Sequence, residues 1–485
     1  MADGSELNQY RIVGSVESEH KTVYKIEDGK KWRQFLAATN LSSVALGTTL
    51  GWTSPGLPKL LDETHSDSPL YFIPSKDEIS WIGSLLAVGA LFAPFVAGPL
   101  TDIIGRKWTL LSSSIFFILS YILLILTCNV PQIYVARLLQ GFGVGFVMTA
   151  QTMYIGEISS TDCRGSLGSL MQIGIVVGIL YVYSIGPYVG YIAFQFFCLI
   201  IPIVFVVTFY FMPDSPHFYI SKGRKEDALN SLKFLRGKSS EGVQEEIDSI
   251  QESVEKSMKN KGSKNINEKI TKNLALLSFI ALIITVGLVT FQQFSGINAV
   301  LFYGQSIFES AGSSMDPAIA TITIGIVQVL ASCCTPLVVD RLGRKIILLV
   351  SSAGMAIGLG LLGFFFFLDH QGSDVTNISW LPITSLIGIV IIYSVGFGPL
   401  PWVVFGEMFP PNVKSTASSI VTSVCWIFGF AVTKWFSALQ DSIGSYGAFW
   451  LFGVCCCFAF FFTLSLVMET KGMSLQQIQD KLNGR

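Results

Sequence analysis

The stretch Gly98-Pro99-Leu100-Thr101-Asp102-Ile103-Ile104-Gly105-Arg106-Lys107 returns in altered form as Val339-Asp340-Arg341-Leu342-Gly343-Arg344-Lys345. Each copy lies between two long apolar runs, one copy in each half of the chain. Charge beside hydrocarbon is costly, so a short acid-and-base hairpin set between apolar runs reads as a loop joining two membrane spans. Its recurrence reads as duplication of a whole half, the arrangement of transporters built from internal repeats rather than of an enzyme or receptor.

Composition agrees with that reading. Only 13% of the 485 residues are charged and 51% are hydrophobic, whereas soluble domains carry about 25% charged residues. The net charge of -1 offers nothing to a nucleic-acid backbone. A transmembrane helix needs about 20 apolar residues. Such runs fall near 33–54, 79–101, 108–127, 132–154, 166–189 and 191–212, then near 274–300, 316–339, 347–368, 381–405, 415–438 and 447–468. They are continuously apolar rather than alternating, which excludes a closed β-barrel.

The sequence therefore predicts an all-α membrane protein of twelve transmembrane helices in two six-helix halves, residues 33–212 and 274–468. Residues 1–32 form an N-terminal tail without a signal-peptide core, and 469–485 a C-terminal tail. The charged linker 213–273 contains Glu226–Leu235 and Val243–Val254, both with the apolar spacing of short amphipathic helices.

Basic residues set the orientation. Arg106, Lys107, Arg164, Arg341, Arg344, Lys345 and Lys414 fall in loops of one parity, while Lys59 and Lys76 lie on the other side. Both termini and the linker are thus expected in the cytoplasm. The sequon Asn377-Ile378-Ser379 then lies outside as a glycosylation acceptor, while Asn40-Leu41-Ser42 falls inside the first span.

Two more charge sets are duplicated. Glu157 precedes Arg164 after the fourth span, and Glu407 precedes Lys414 after the tenth, at the same separation. With Asp102, Arg106, Asp340 and Arg344 they can pair across neighbouring helix ends and lock the two halves together on the cytoplasmic side. The competing reading is that each charge only anchors its helix at the interface.

The two hairpins, Glu157 with Arg164, Pro213-Asp214-Ser215-Pro216, Gln292-Gln293-Phe294-Ser295-Gly296-Ile297-Asn298 and Glu469-Thr470-Lys471-Gly472 together resemble the sugar porters of the major facilitator superfamily. The ordered set covers nearly the whole chain. Gly51-Trp52-Thr53-Ser54-Pro55-Gly56-Leu57-Pro58 and Val432-Thr433-Lys434 look most like the insect facilitated trehalose and glucose transporters.

A sugar presents hydroxyls around an apolar ring face, so its site needs neutral donors and acceptors beside an aromatic surface. Amides suit this, each supplying a donor pair and an acceptor. The resemblance implies substrate contacts at Gln292, Gln293, Asn298, Gln172 and Trp402. Phe302 and Tyr303 would close over the sugar from outside. Six residues separate Gln292 from Asn298, so a regular helix would turn them apart, and a break near Gly296 would let both face one cavity. The alternative is that these amides only hold helices together, worth about 0.6 kcal/mol each.

Two positions depart from the family pattern. Cys425 stands before Trp426 where asparagine is frequent, and Gln328 replaces a common asparagine; both stay in the expected binding set.

Proton-coupled relatives carry an acid in the first span, where this chain has Thr49. No Asp or Glu lies in the middle of any span, which favours facilitated diffusion over proton symport. The nine cysteines show no metal spacing, and His20, His65, His217 and His370 are scattered. No catalytic residue, metal or cofactor is expected, so the chain is not read as an enzyme. The expected partners are a small sugar and membrane lipid, with a monomer in the plasma membrane as the working form. A proton symporter, a non-transporting sugar sensor and a polyol porter are the alternatives.

Overall fold

The computed structural model describes residues 41–61, 68–159, 164–237, 241–262, 268–310, 316–409, 411–471, 473, 477–478 and 481. The tail expected over 1–32, and Asn40 with it, lie outside these residues. Among the described residues every regular element is helical. The first half comprises α1 (Ser42–Gly51), α2 (Thr53–Leu60), α3 (Lys76–Ile104), α4 (Arg106–Ile125), α5 (Val130–Ile158), α6 (Arg164–Ile185) and α7 (Tyr191–Phe209). The linker forms α8 (Pro216–Ser221), α9 (Lys225–Arg236) and α10 (Gln244–Gly262). The second half comprises α11 (Glu268–Phe294), α12 (Ile297–Ser310), α13 (Pro317–Leu342), α14 (Arg344–His370), α15 (Leu381–Val395), α16 (Leu400–Met408) and α17 (Pro411–Leu466).

Nine helical segments among the described residues are long and apolar enough to cross a membrane. One of them, within α17, is two spans, because Gly444 leaves helical geometry with φ 75° and ψ 162°. The pairs α1–α2 and α11–α12 are broken helices that each complete one further span, giving the expected twelve. The first span runs further than its hydropathy suggests, since α2 continues through Pro55 to Leu60. Trp52 explains this: it is fully buried at the junction, and its indole Nε1 donates to Gln195 Oε1 at 2.9 Å.

Local chemistry fixes where spans begin. Ser75 caps α3 in a reciprocal box with Glu78, Asn129 caps α5, and Asp316 caps α13 ahead of Pro317. Close approach fixes how they pack. A Cβ on Gly89 of α3 would sit 2.2 Å from the Leu138 carbonyl, and one on Gly141 of α5 would sit 2.1 Å from that of Leu86. These two backbones touch, as small residues allow in membranes.

The linker helices close over a small core of Ile220, Ala228, Leu232, Val243, Ile247 and Ile250. They attach to the first half through Arg236, whose Nη1 donates to the Ile158 carbonyl at 2.8 Å while its Nη2 pairs with Glu246 at 2.6 Å. The Tyr154 hydroxyl donates to the Pro213 carbonyl at 2.8 Å beside them.

Candidate functional site

Two ends of the molecule and the middle between them matter. The hairpin side carries Gly105-Arg106-Lys107 and Gly343-Arg344-Lys345, which begin α4 and α14. Both glycines hold positive φ, 102° and 86°, where a side chain would be strained. In the first half, Asp214 Oδ1 accepts from the Lys107 backbone N–H at 3.1 Å and from Ser215 N–H at 2.7 Å. In the second, Glu469 Oε1 accepts from Arg344 N–H at 2.9 Å and Oε2 from Lys345 N–H at 3.0 Å. Each half thus ends in a carboxylate that caps the helix begun at its own hairpin. The two motifs that contain them show acids next to helix ends, but no spacing signal reveals a partner more than a hundred residues away.

The two caps differ electrostatically. Burial pushes the Asp214 carboxyl up, and the N–H donors with Arg106 offset this only in part, leaving it above the usual carboxylate range. Burial also raises Glu469, but four backbone donors outweigh it and bring the carboxyl below that range.

The arginines of the hairpins pair inside their own halves. Arg106 Nη2 lies 2.9 Å from Glu157 Oε1, with Asp102 at 3.4 Å; Arg344 Nη2 lies 2.9 Å from Glu407 Oε1. Thr470 Oγ1 donates to Glu407 Oε2 at 2.6 Å. The side chains of Arg164, Asp340 and Lys414 lie outside the described residues. Among the described residues the ion pairs of Arg106 with Asp102 and Glu157, and of Arg344 with Glu407, each lie within one half.

On the far side the halves are joined. Lys434 Nζ on α17 pairs with Asp77 on α3 at 2.5 Å and lies 4.4 Å from the centre of the Trp81 ring. Ser80 Oγ donates to the Lys434 carbonyl. Lys76 pairs with Asp441 at 2.8 Å. The Tyr183 hydroxyl on α6 donates to the Leu301 carbonyl on α12 at 2.8 Å. Phe302 is buried beside that contact, and the Tyr303 side chain is outside the described residues. The conformation is closed on the far side.

Between the two ends, Ser295 and Gly296 break the seventh span, Gly296 at φ 77°. The break sorts the amides. Gln292 Nε2 turns to the gap between α15 and α16, donating to the carbonyls of Phe397 at 2.7 Å and Gly398 at 2.8 Å. Gln293 Nε2 donates to Cys425 Sγ at 2.9 Å, and Asn298 Nδ2 donates to Gln293 Oε1. Gln293 and Asn298 therefore meet, while Gln292 staples two broken spans. Gln328 Oε1 and Trp426 Nε1 are buried and have no hydrogen-bond partner among the described residues. Trp402 is partly buried on α16 and Gln172 half-buried on α6. Where α6 crosses α13, Leu180 packs on Gly325, and Gln172 and Gln328 both lie on the hairpin side of that crossing.

Hydropathy alone hides Arg137, a fully buried cation in α5. Its Nε donates to the Ile82 carbonyl at 3.0 Å, and its Nη1 to the Thr49 carbonyl at 3.0 Å and to Gln140 Oε1 at 2.6 Å. Its guanidinium lies 5.3 Å from the Trp52 ring centre.

Residues 25–482 match the sugar (and other) transporter family. The facilitated trehalose transporter Tret1-2 homolog of Drosophila simulans is 37% identical over 454 residues, covering 93% of this chain and 91% of that protein. The facilitated trehalose transporter Tret1 of Apis mellifera ligustica is 38% identical over 453 residues, covering 93% and 88%. The proton:xylose symporter XylE bound to 6-bromo-6-deoxy-D-glucose aligns with a TM-score of 0.74 at 24% identity, covering 94% of this chain and 100% of that one. The inward-open xylose transporter XylE from E. coli gives 0.74 at 21%, covering 92% and 98%. At these identities the structures establish the major facilitator fold alone.

Proposed function

The chain belongs to the sugar (and other) transporter family, and we propose that it is a uniporter carrying glucose, trehalose or both down their gradient. The observation that carries this reading is the polar set in mid-membrane. Gln293 and Asn298 face one another at the broken seventh span, and Gln328 Oε1 and Trp426 Nε1 are buried acceptor and donor with no partner among the described residues. Buried polar groups normally find partners, and sugar hydroxyls supply both kinds. The relatives named as facilitated trehalose transporters support the choice of sugar.

Uniport follows from what the spans hold. No Asp or Glu lies in the middle of any of them, and the buried Arg137 is held by two carbonyls and an amide, which exchange no proton at working pH. Sugar would enter from the far side, bind the amides and Trp402, and leave toward the hairpin side, which the basic loops make cytoplasmic. The two charge sets would meet across the halves when the far side opens. Asn377, exposed between α14 and α15, would carry a glycan outside. The protein would act as a monomer in the plasma membrane with both termini inside.

Uptake of labelled glucose and trehalose into proteoliposomes, with and without a pH gradient, tests this. Equilibration of either sugar without accumulation is expected. Accumulation driven by the pH gradient would replace uniport with symport, and binding without flux would make the protein a sensor.

A further inference from the structure

We propose that the hairpin side of the first half holds a binding site for an anionic glycerophospholipid, where α3, α4 and α8 meet. A cavity of about 440 Å³ opens there. One wall is apolar and faces outward: Ile103 is 65% and Trp108 48% exposed, at the ends of two spans where acyl chains give way to headgroups. Two cations, Lys222 and Arg224, line the same cavity. Lys222 Nζ lies 5.8 Å from the Phe218 ring centre, and the Arg224 guanidinium 5.0 Å from that of Tyr219. Arg224 meets Asp227 through Nε at 2.7 Å, which leaves its two terminal nitrogens for another oxygen ligand.

The acid lining the cavity, Asp214, is only 2% exposed, so a ligand in the cavity reaches little of its carboxylate. Its Oδ1 is taken by the Lys107 and Ser215 N–H groups, and its Oδ2 packs against Gly105, where a Cβ would sit 2.1 Å away. Lys107 adds a third cation nearby, its Nζ between the rings of Trp108 and Tyr210 at 5.3 and 5.4 Å. Ring faces, and for Lys107 the Tyr210 carbonyl that accepts from its Nζ at 2.7 Å, hold these cations in place. A phosphate diester thus finds positive charge in the cavity while its chains cover Ile103 and Trp108. Basic pockets at the cytoplasmic border select anionic headgroups in this way. The apolar wall separates a lipid from free phosphate, which has no use for it. A lipid seated there touches the α3–α4 hairpin and α8 together, and so couples the linker to the bilayer. The inference does not rest on which sugar is carried.

The test uses the full chain in nanodiscs of phosphatidylcholine containing about one-fifth phosphatidylserine, with retained lipid counted by native mass spectrometry. Phosphatidylserine should be retained at least about tenfold over phosphatidylcholine, and Lys222→Gln with Arg224→Gln should remove about that preference. Lys225→Gln, outside the cavity, should keep it. Millimolar inorganic phosphate should not displace the lipid. Equal retention of both lipids, full preference in the double variant, or displacement by phosphate would each overturn the proposal. Should the double variant fail to fold, Trp108→Ala serves instead: it leaves the charges and must lower retention of phosphatidylserine, or the site is not there.

Discussion

Replacing Lys434 with methionine keeps the length of the side chain and removes its charge. In the far-side-closed state Lys434 touches Asp77 at 2.5 Å and sits 4.4 Å above the Trp81 ring. Its own side chain is 11% exposed, but that of Asp77 is 76% exposed, so solvent screens the pair. An ion pair with one exposed partner is worth about 0.5–1 kcal/mol, and the ring contact about 0.5–1 kcal/mol more. Both contacts bridge the two halves and are lost when the far side opens. Removing them should shift the equilibrium toward the far-side-open state by about 1–2 kcal/mol, or about five- to thirtyfold. The assay is modification of a cysteine at Ser80, buried at this seam, by a membrane-impermeant thiol reagent in a background lacking other cysteines. Lys434→Met should speed labelling by that factor. Asp77→Asn should do less, since the ring contact survives. Lys76→Gln should do almost nothing, because its pair with Asp441 is largely exposed on both sides. Raising salt should mimic the variant in the wild type and add little to Lys434→Met. Unchanged labelling in Lys434→Met, or Lys76→Gln equal to it, would mean that the Lys434 contacts do not hold the far side closed.

Other expectations follow from the site. Gln293→Ala and Asn298→Ala should each weaken sugar binding by about 1–2 kcal/mol in equilibrium titration, whereas Gln292→Ala should lower the melting temperature as well, because it frees the carbonyls of Phe397 and Gly398. Cys425→Asn replaces a weak acceptor of the Gln293 amide with a strong one that also donates, and should change the ratio of glucose to trehalose affinity; unaltered affinities for both would remove Cys425 from the site. The caps should respond to pH in opposite senses. Asp214 is raised, so its ionised form costs stability as pH climbs through its folded value, and Asp214→Asn should be as stable as wild type or more so at neutral pH. Glu469 is lowered, so its stabilisation is present above the usual carboxylate range and lost as pH falls; Glu469→Gln should cost about 1–2 kcal/mol at neutral pH in thermal melts. Both differences should shrink on acidification.

The spans and their pairing into halves were legible because membrane helices must be apolar over a fixed length, and because the hairpin at Arg106 is repeated at Arg344. The break of the seventh span was legible from Gly296. What the sequence could not reveal were partners set by long-range packing. Gln292, Gln293 and Asn298 read alike as amides, yet only the backbone turn at Gly296 decides that one staples helices while two face each other. Lys434 stood in a recognisable motif, but its meeting with Asp77 joins residues 357 apart. The apolar run of the first span ends near residue 54, yet α2 carries the span through Pro55 to Leu60 beside the buried Trp52.

The attachment of the linker has a consequence for biogenesis. The chain leaves the ribosome from its N-terminus, so the first six spans emerge first, followed at once by α8, α9 and α10. Arg236 reaching back to the Ile158 carbonyl, and Pro213 accepting from Tyr154, let that half complete its own hairpin face before α11 is synthesised. The waiting intermediate then leaves Asp77, Trp81 and Tyr183 without the residues that will meet them, all on the opposite rim. A half-made chain would accordingly carry its unmet contacts on that rim, and the two halves join there when Lys434 and Leu301 arrive.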